Sequence, residues 1–160
     1  METDASLRIL FVEDVPLDAE LAEHTLRKEG LAFTSKLVDT KEAFLKALKT
    51  FRPDLVISDY SMPEFDGMKA LELSLAHDPD LPFLILTGSI NEETAVKCLK
   101  AGACDYVIKQ HISRLAYSVK EALERTGAVR AKVEAEAALR ESEEIFRKFM
   151  EFSPIYVFFK

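Results

Sequence analysis

From residue 7 to about residue 125 the chain alternates short runs of β-branched or aromatic residues with longer segments of helical pattern, and no other feature constrains the fold as strongly. Such alternation is the mark of βαβ units, and it predicts a parallel sheet with helices on its faces. The expected strands are LRILFV (Leu7–Val12), FTSKLV (Phe33–Val38), DLVIS (Asp54–Ser58), FLILT (Phe83–Thr87) and DYVIK (Asp105–Lys109). The first, third and fourth are the most continuously apolar, so they are expected at the centre of the sheet, buried on both faces. Helix ends are legible between them. Pro16 opens the first helix and Gly30 closes it behind Arg27 and Lys28; Asp39-Thr40 precedes KEAFLKALK; Asn91 precedes EETAVKCLK, which stops near Gly102.

With 160 residues, 48% of them hydrophobic, the chain suits one compact core plus an appendage. A net charge of −7 argues against direct nucleic-acid binding, which draws most of its affinity from clustered Lys and Arg. Cys98 and Cys104 lack metal-ligand spacing and read as reduced thiols. The acidic N-terminus METDASLRIL does not resemble a signal peptide, and no apolar run approaches the roughly 20 residues that span a bilayer, so the chain reads as cytoplasmic with no membrane partner.

A doubly wound sheet binds its ligand at the carboxyl ends of its strands, near the switch in strand order. There the sequence places Glu13, Asp14, Asp59, Thr87 and Lys109. At an effective dielectric near 20, like charges about 4 Å apart repel by roughly 4 kcal/mol per pair, so three converging acids need a counter-charge. All-oxygen ligands of this kind suit Mg²⁺, which takes one or two carboxylates and keeps room for a phosphate oxygen. A carboxylate in that setting can itself be a nucleophile and form an acyl phosphate, with Lys109 neutralising the transferred group. Asp59, alone at its strand end, is the candidate; Glu13 and Asp14 are adjacent and better placed to hold metal. Considered singly, Asp59 could be a turn former, Asp14 a helix cap and Thr87 an ordinary strand threonine. His24, His77 and His111 share no motif and read as surface residues, and Met62 and Met68 read as packing.

The motifs FVED, ISDYSMPEFDG, LTG and DYVIK, in this order and spacing, resemble the receiver domain of two-component response regulators over roughly residues 7–125. The resemblance implies a flavodoxin-like α/β fold, a five-stranded parallel doubly wound sheet of order 2-1-3-4-5 with a long C-terminal helix. It implies Asp59 as phosphoacceptor for a cognate histidine kinase, and Mg²⁺ held by Glu13, Asp14, Asp59 and the backbone carbonyl of Ser61. It also implies a switch pair, Thr87 and Tyr106, and Lys109 on the phosphoryl group. Gln110 stands where the family usually has proline. A cis bond before a non-proline residue costs about 2.5–4 kcal/mol, so a trans Lys109–Gln110 bond is expected. In the turn MPEFDG, Pro63 is expected to set φ and Gly67 to permit an unusual one. Ser61 and Ser89 are small, so the acyl phosphate is expected to hydrolyse fairly fast.

Leu115, Val119, Ala122 and Leu123 give the last helix an apolar face to cover the sheet, and beyond residue 125 the helical pattern continues. Positions 115, 119, 122, 126, 129 and 133 step by four and three, which predicts a coiled-coil seam and a parallel homodimer through the C-terminal helix. The expected organisation is a receiver over residues 1–125, a helical linker over 126–150, and over 151–160 the truncated start of a domain. The stretch ALRESEEIFRKFMEFSPIYVFF resembles the linker and opening of a PAS domain, which would make the chain a fragment of a multidomain sensor histidine kinase. Two other functions compete: a Mg²⁺-dependent aspartyl-phosphate phosphohydrolase, disfavoured because Ser61 stands where a second acid is usual, and an inert receiver serving as a dimerisation module.

Overall fold

The computed structural model describes residues 7–88 and 91–152 of the chain. Five strands, β1 (Leu7–Val12), β2 (Phe33–Val38), β3 (Leu55–Ser58), β4 (Phe83–Thr87) and β5 (Asp105–Ile108), alternate with helices α1 (Pro16–Lys28), α2 (Lys41–Thr50), α3 (Gly67–His77), α4 (Glu92–Ala101) and α5 (Leu115–Phe152). All pairings are parallel and the sheet order is β2-β1-β3-β4-β5. The three apolar runs β1, β3 and β4 do occupy the centre, because only a strand with neighbours on both edges and helices on both faces can bury every side chain.

Alternation along the strands sends side chains to two cores. Leu10, Val12, Val56 and Ile85 pack with Phe44 and Leu48 of α2 and Leu71 of α3. Ile9, Phe11, Leu55, Ile57, Leu84 and Leu86 pack with Ala22 and Leu26 of α1 and with Leu115 and Val119 of α5. Cys98 is buried in the first core and Cys104 is half-buried, both as free thiols. Side-chain caps open three helices: Thr40, Asp66 and Asn91 accept the backbone N–H groups of Ala43, Lys69 and Thr94 at 3.1, 2.8 and 3.0 Å. Gly102 ends α4 at φ 122°, a conformation that side chains rarely adopt.

Two strand boundaries differ from expectation, while α1 opens at Pro16 as expected. Asp54 precedes β3, its carboxylate accepting the Arg8 N–H at 2.9 Å. Lys109 does not end β5; it opens a 3-10 turn, Lys109–Arg114, with His111 at φ −115° and ψ 41°. That turn delays α5 to Leu115. The N-cap of α1 is Val15, not Asp14, and it brings no side-chain cap.

The chain divides into two units, Met1–Glu124 and Arg125–Lys160. Within the first, Leu115, Val119 and Ala122 are buried in the second core, so the N-terminal half of the expected seam covers the sheet and cannot line a coiled coil. The side chains of Val129 and Val133 lie outside the described residues, as do Ser89 and positions 153–160 of the expected domain start. In the second unit Leu139, Ile145, Phe146 and Phe149 are more than 60% exposed on a helix otherwise rich in Glu, Arg and Lys. Among the described residues no helix is long and apolar enough to cross a membrane.

Candidate functional site

Parallel pairing delivers two acids to one edge. The Asp59 N–H donates to the Val12 carbonyl at 2.9 Å, and the Glu13 N–H donates to the Val38 carbonyl at 3.0 Å, so both acids continue the ladder just past their strand ends. Both are buried and Asp14 is exposed. The Asp59 carboxylate accepts the Tyr60 N–H at 2.7 Å, and the Ser58 hydroxyl donates to the Asp59 carbonyl at 2.7 Å, fixing the backbone from which the acid projects.

Gly67 shapes this spot by size, not by φ. A Cβ there would lie 2.6 Å from the Asp59 carbonyl oxygen and 2.8 Å from the Tyr60 Cα, while its N–H donates to the Tyr60 carbonyl at 2.9 Å. Its φ is not positive, in contrast to Gly30 and Gly102. The expectation of an unusual φ therefore gives way to close approach of two backbones.

Glu13, Asp14 and Asp59 each offer an oxygen within 4.8 Å of the others. The Lys109 ammonium faces the same cluster, 2.8 Å from Glu13, 3.4 Å from Asp59 and 2.7 Å from Asp18. Burial, opposed by the Lys109 hydrogen bond and reinforced by the Asp59 charge, pushes the Glu13 carboxyl up to about 7. Burial works against the lysine's charge, yet hydrogen bonds to Asp18 and Glu13 hold it above the ordinary lysine range. Two buried acids and a third beside them form an all-oxygen set that fits a hard divalent cation, and Mg²⁺ suits it because few protein ligands are needed.

Thr87 is buried at the end of β4, in register with Ile108, and Tyr106 pairs with Ile85 two positions earlier. Tyr106 is half-buried beside the core that holds Tyr60 and Cys98, and burial, with those neighbours, raises its hydroxyl pKa. Ser61 is exposed in the loop after Tyr60. The Lys109–Gln110 bond is trans. In place of a proline the turn after Lys109 carries an ion pair: Arg114 Nη2 lies 2.8 Å from both Asp105 oxygens, and the Ser118 hydroxyl donates to Asp105 at 2.6 Å. Burial raises the Asp105 pKa, but Ser118 and Arg114 outweigh it and hold the carboxyl below its ordinary value.

Sequence reasoning missed Asp18. It sits in the first turn of α1, where an acid is commonplace because it complements the helix dipole. Its part in the site emerges only when the fold lays residue 109 across α1. A faint signal existed: residue 18 lies five positions past Glu13 in a helix that must start beside it.

Taken together, fold and site define an α/β domain that gathers three acids and a lysine at the carboxyl edge of its sheet. The chain belongs to the response regulator receiver domain family, whose sequence model matches residues 9–136. It is similar to the regulatory protein AtoC of Escherichia coli, 34% identical over 102 residues, which are 64% of this chain and 22% of that protein. It is also similar to the probable transcriptional regulatory protein TcrX of Mycobacterium tuberculosis, 32% identical over 120 residues, 74% of this chain and 50% of that protein. The chain thus spans half or less of these relatives. The crystal structure of the signal receiver domain of a putative LuxO repressor protein from Vibrio parahaemolyticus superposes with a TM-score of 0.70 at 25% identity, covering 79% of this chain and 97% of that one.

Proposed function

We propose that this receiver takes a phosphoryl group on Asp59 from a histidine kinase in a Mg²⁺-dependent reaction. The observation that carries the reading is the burial of Asp59 at the end of β3, with Glu13 and Asp14 oxygens within 4.8 Å and the Lys109 ammonium at 3.4 Å. An Asp59 carboxylate oxygen attacks phosphorus, an O–P bond forms, and the donor's bond to phosphorus breaks with its electron pair leaving on the donor. Glu13, Asp14, Asp59 and the Ser61 carbonyl would hold Mg²⁺, which would supply charge neutralisation for the phosphoryl oxygens. Lys109 adds a second positive charge, and the Tyr60 N–H orients the carboxylate.

Thr87 and Tyr106 are the proposed switch: the hydroxyl of Thr87 meets the new phosphoryl oxygens and Tyr106 follows it inward. Phosphorylation then shifts a population between two arrangements, and α5 carries the shift to an output domain. The chain turns over no metabolite. The proposed setting is an N-terminal receiver of a PAS-containing sensor kinase in the cytoplasm, supported by the resemblance of residues 138–159 to a PAS entry segment. A homodimer through the second unit is supported by the exposed Leu139, Phe146 and Phe149, spaced at seven and three.

The test is intact-mass analysis after incubation with Mg²⁺ and acetyl phosphate, comparing the protein with Asp59→Asn. A single phosphoryl adduct that requires both Mg²⁺ and Asp59 is expected. No adduct on folded, Mg²⁺-saturated protein would overturn the reading.

A further inference from the structure

Lys109 has three carboxylate partners, and the shortest contact is not with the phosphoacceptor. Its ammonium lies 2.7 Å from Asp18, 2.8 Å from Glu13 and 3.4 Å from Asp59. Asp18 occupies the third position of α1, where an acid commonly turns back to bind the N-cap N–H. Here that N–H, from Val15, goes to Glu13 Oε2 at 3.2 Å instead. The Asp18 carboxylate is therefore spared from capping and faces Lys109 across the cleft. Its side chain is 37% exposed while that of Lys109 is 19% exposed, so Asp18 sits at the rim and draws the lysine outward, away from the buried Asp59.

We propose that Asp18 is a positioning residue that competes with the phosphoryl group for Lys109 and so sets how long the phosphorylated state lasts. The proposal rests on Asp59 being the phosphoacceptor. In the resting domain Lys109 is shared between the rim and the buried acids. Once Asp59 carries a phosphoryl group, Asp18 still pulls on the same ammonium, leaving that group less fully neutralised. Loss of the phosphoryl group follows when water attacks phosphorus, the O–P bond to Asp59 breaks, its electron pair returns to the carboxylate and orthophosphate departs. Weaker competition for Lys109 keeps more positive charge on the phosphoryl oxygens and, as in the forward transfer, speeds that attack. A partly exposed ion pair of this kind is worth less than a buried one, which sets the effect at roughly two- to fivefold.

Two readouts test the proposal on the full chain with Asp18→Asn and Asp18→Glu. The first is the half-life of the Asp59 adduct after acetyl phosphate and excess donor are removed, followed by intact mass. The second is the rate at which Lys109 is acetylated by acetic anhydride in Mg²⁺-free protein, read by peptide mapping with the other lysines as internal controls. Asp18→Asn is expected to shorten the half-life roughly two- to fivefold and to speed Lys109 acetylation by a similar factor, while Asp18→Glu, which keeps the charge, stays near the unaltered protein in both. An unchanged half-life in Asp18→Asn, or Asp18→Glu behaving like Asp18→Asn, overturns the proposal. Absence of any adduct on the unaltered protein would strike the phosphoacceptor reading instead, and the acetylation rates would then decide the Asp18–Lys109 pairing by themselves.

Discussion

Replacing Glu13 with Gln should stabilise the Mg²⁺-free protein at pH 8 while weakening its hold on the metal. Glu13 is 6% exposed, and its carboxyl is raised from 4.5 to about 7 mainly by burial, with the neighbouring Asp59 adding to the shift. A carboxyl whose folded pKa exceeds its unfolded value favours folding through the proton it retains. That contribution is complete below about pH 4.5 and is lost as pH rises through about 7. At pH 8 the charged form therefore carries a penalty of about 3 kcal/mol, from about 1.4 kcal/mol per pH unit over the interval from 4.5 to about 7. Gln removes the charge, keeps an oxygen for Lys109 and gives up part of that ion pair, so a net gain of roughly 1–3 kcal/mol is expected. Urea unfolding at pH 8 and pH 5, each with and without Mg²⁺, measures it. The gain should be largest at pH 8 without metal and shrink at pH 5, and Mg²⁺ should stabilise the unaltered protein far more than the variant. Equal stability of the two proteins at pH 8, or the same gain at both pH values, would refute the reasoning.

Mg²⁺ binding should displace the Glu13 proton, so its apparent dissociation constant should rise by up to about tenfold per unit as pH falls below about 7 and level off above it; calorimetric titrations across that range would show it, and a flat profile would contradict the role of Glu13. Gly67→Ala forces a Cβ to within 2.6 Å of the Asp59 carbonyl and should cost roughly 1–3 kcal/mol in urea unfolding and reduce adduct formation; a loss too small to measure would remove close approach as the reason for glycine. Arg114→Ala should lower stability at pH 7 by about 0.5–1 kcal/mol. Because the Asp105 carboxyl is held below its ordinary 3.8, the stability it contributes is present above pH 3.8 and lost as pH falls through its folded value, so thermal melts of the two proteins should converge in acid.

The sheet was legible because burial on both faces leaves a compositional trace: β1, β3 and β4 are unbroken apolar runs and stand at the centre. Asp59 and Lys109 were legible because strand ends in a parallel sheet share one edge, and their separation in sequence does not matter once the strand order is known. Asp18 was not legible, since an acid in a first helical turn has an ordinary local reason to be there. Gly67 was read as a glycine but for the wrong property, because sequence shows that a side chain is missing without showing what would collide with it. Positions 115, 119 and 122 carried two readings, a face covering the sheet and a coiled-coil seam, for a related reason. A helix lying on a sheet and a helix in a coiled coil both repeat apolar residues by three and four, and only the burial of Leu115 and Val119 in the domain's own core separates the two.

The charge balance of the site has a consequence for how the chain is made. Glu13, Asp14 and Asp18 are synthesised first, Asp59 follows 41 residues after Asp18, and the ammonium that faces them arrives only at residue 109. A nascent chain that has released its first three strands from the ribosome thus holds the acids of the site without the lysine that faces them in the finished domain. Closing the sheet with β5 and the turn behind it both supplies that cation and anchors it, through Arg114 and Ser118 on Asp105. The final βα unit therefore completes the charge balance of the site, which no shorter stretch of the chain can do with the same partners.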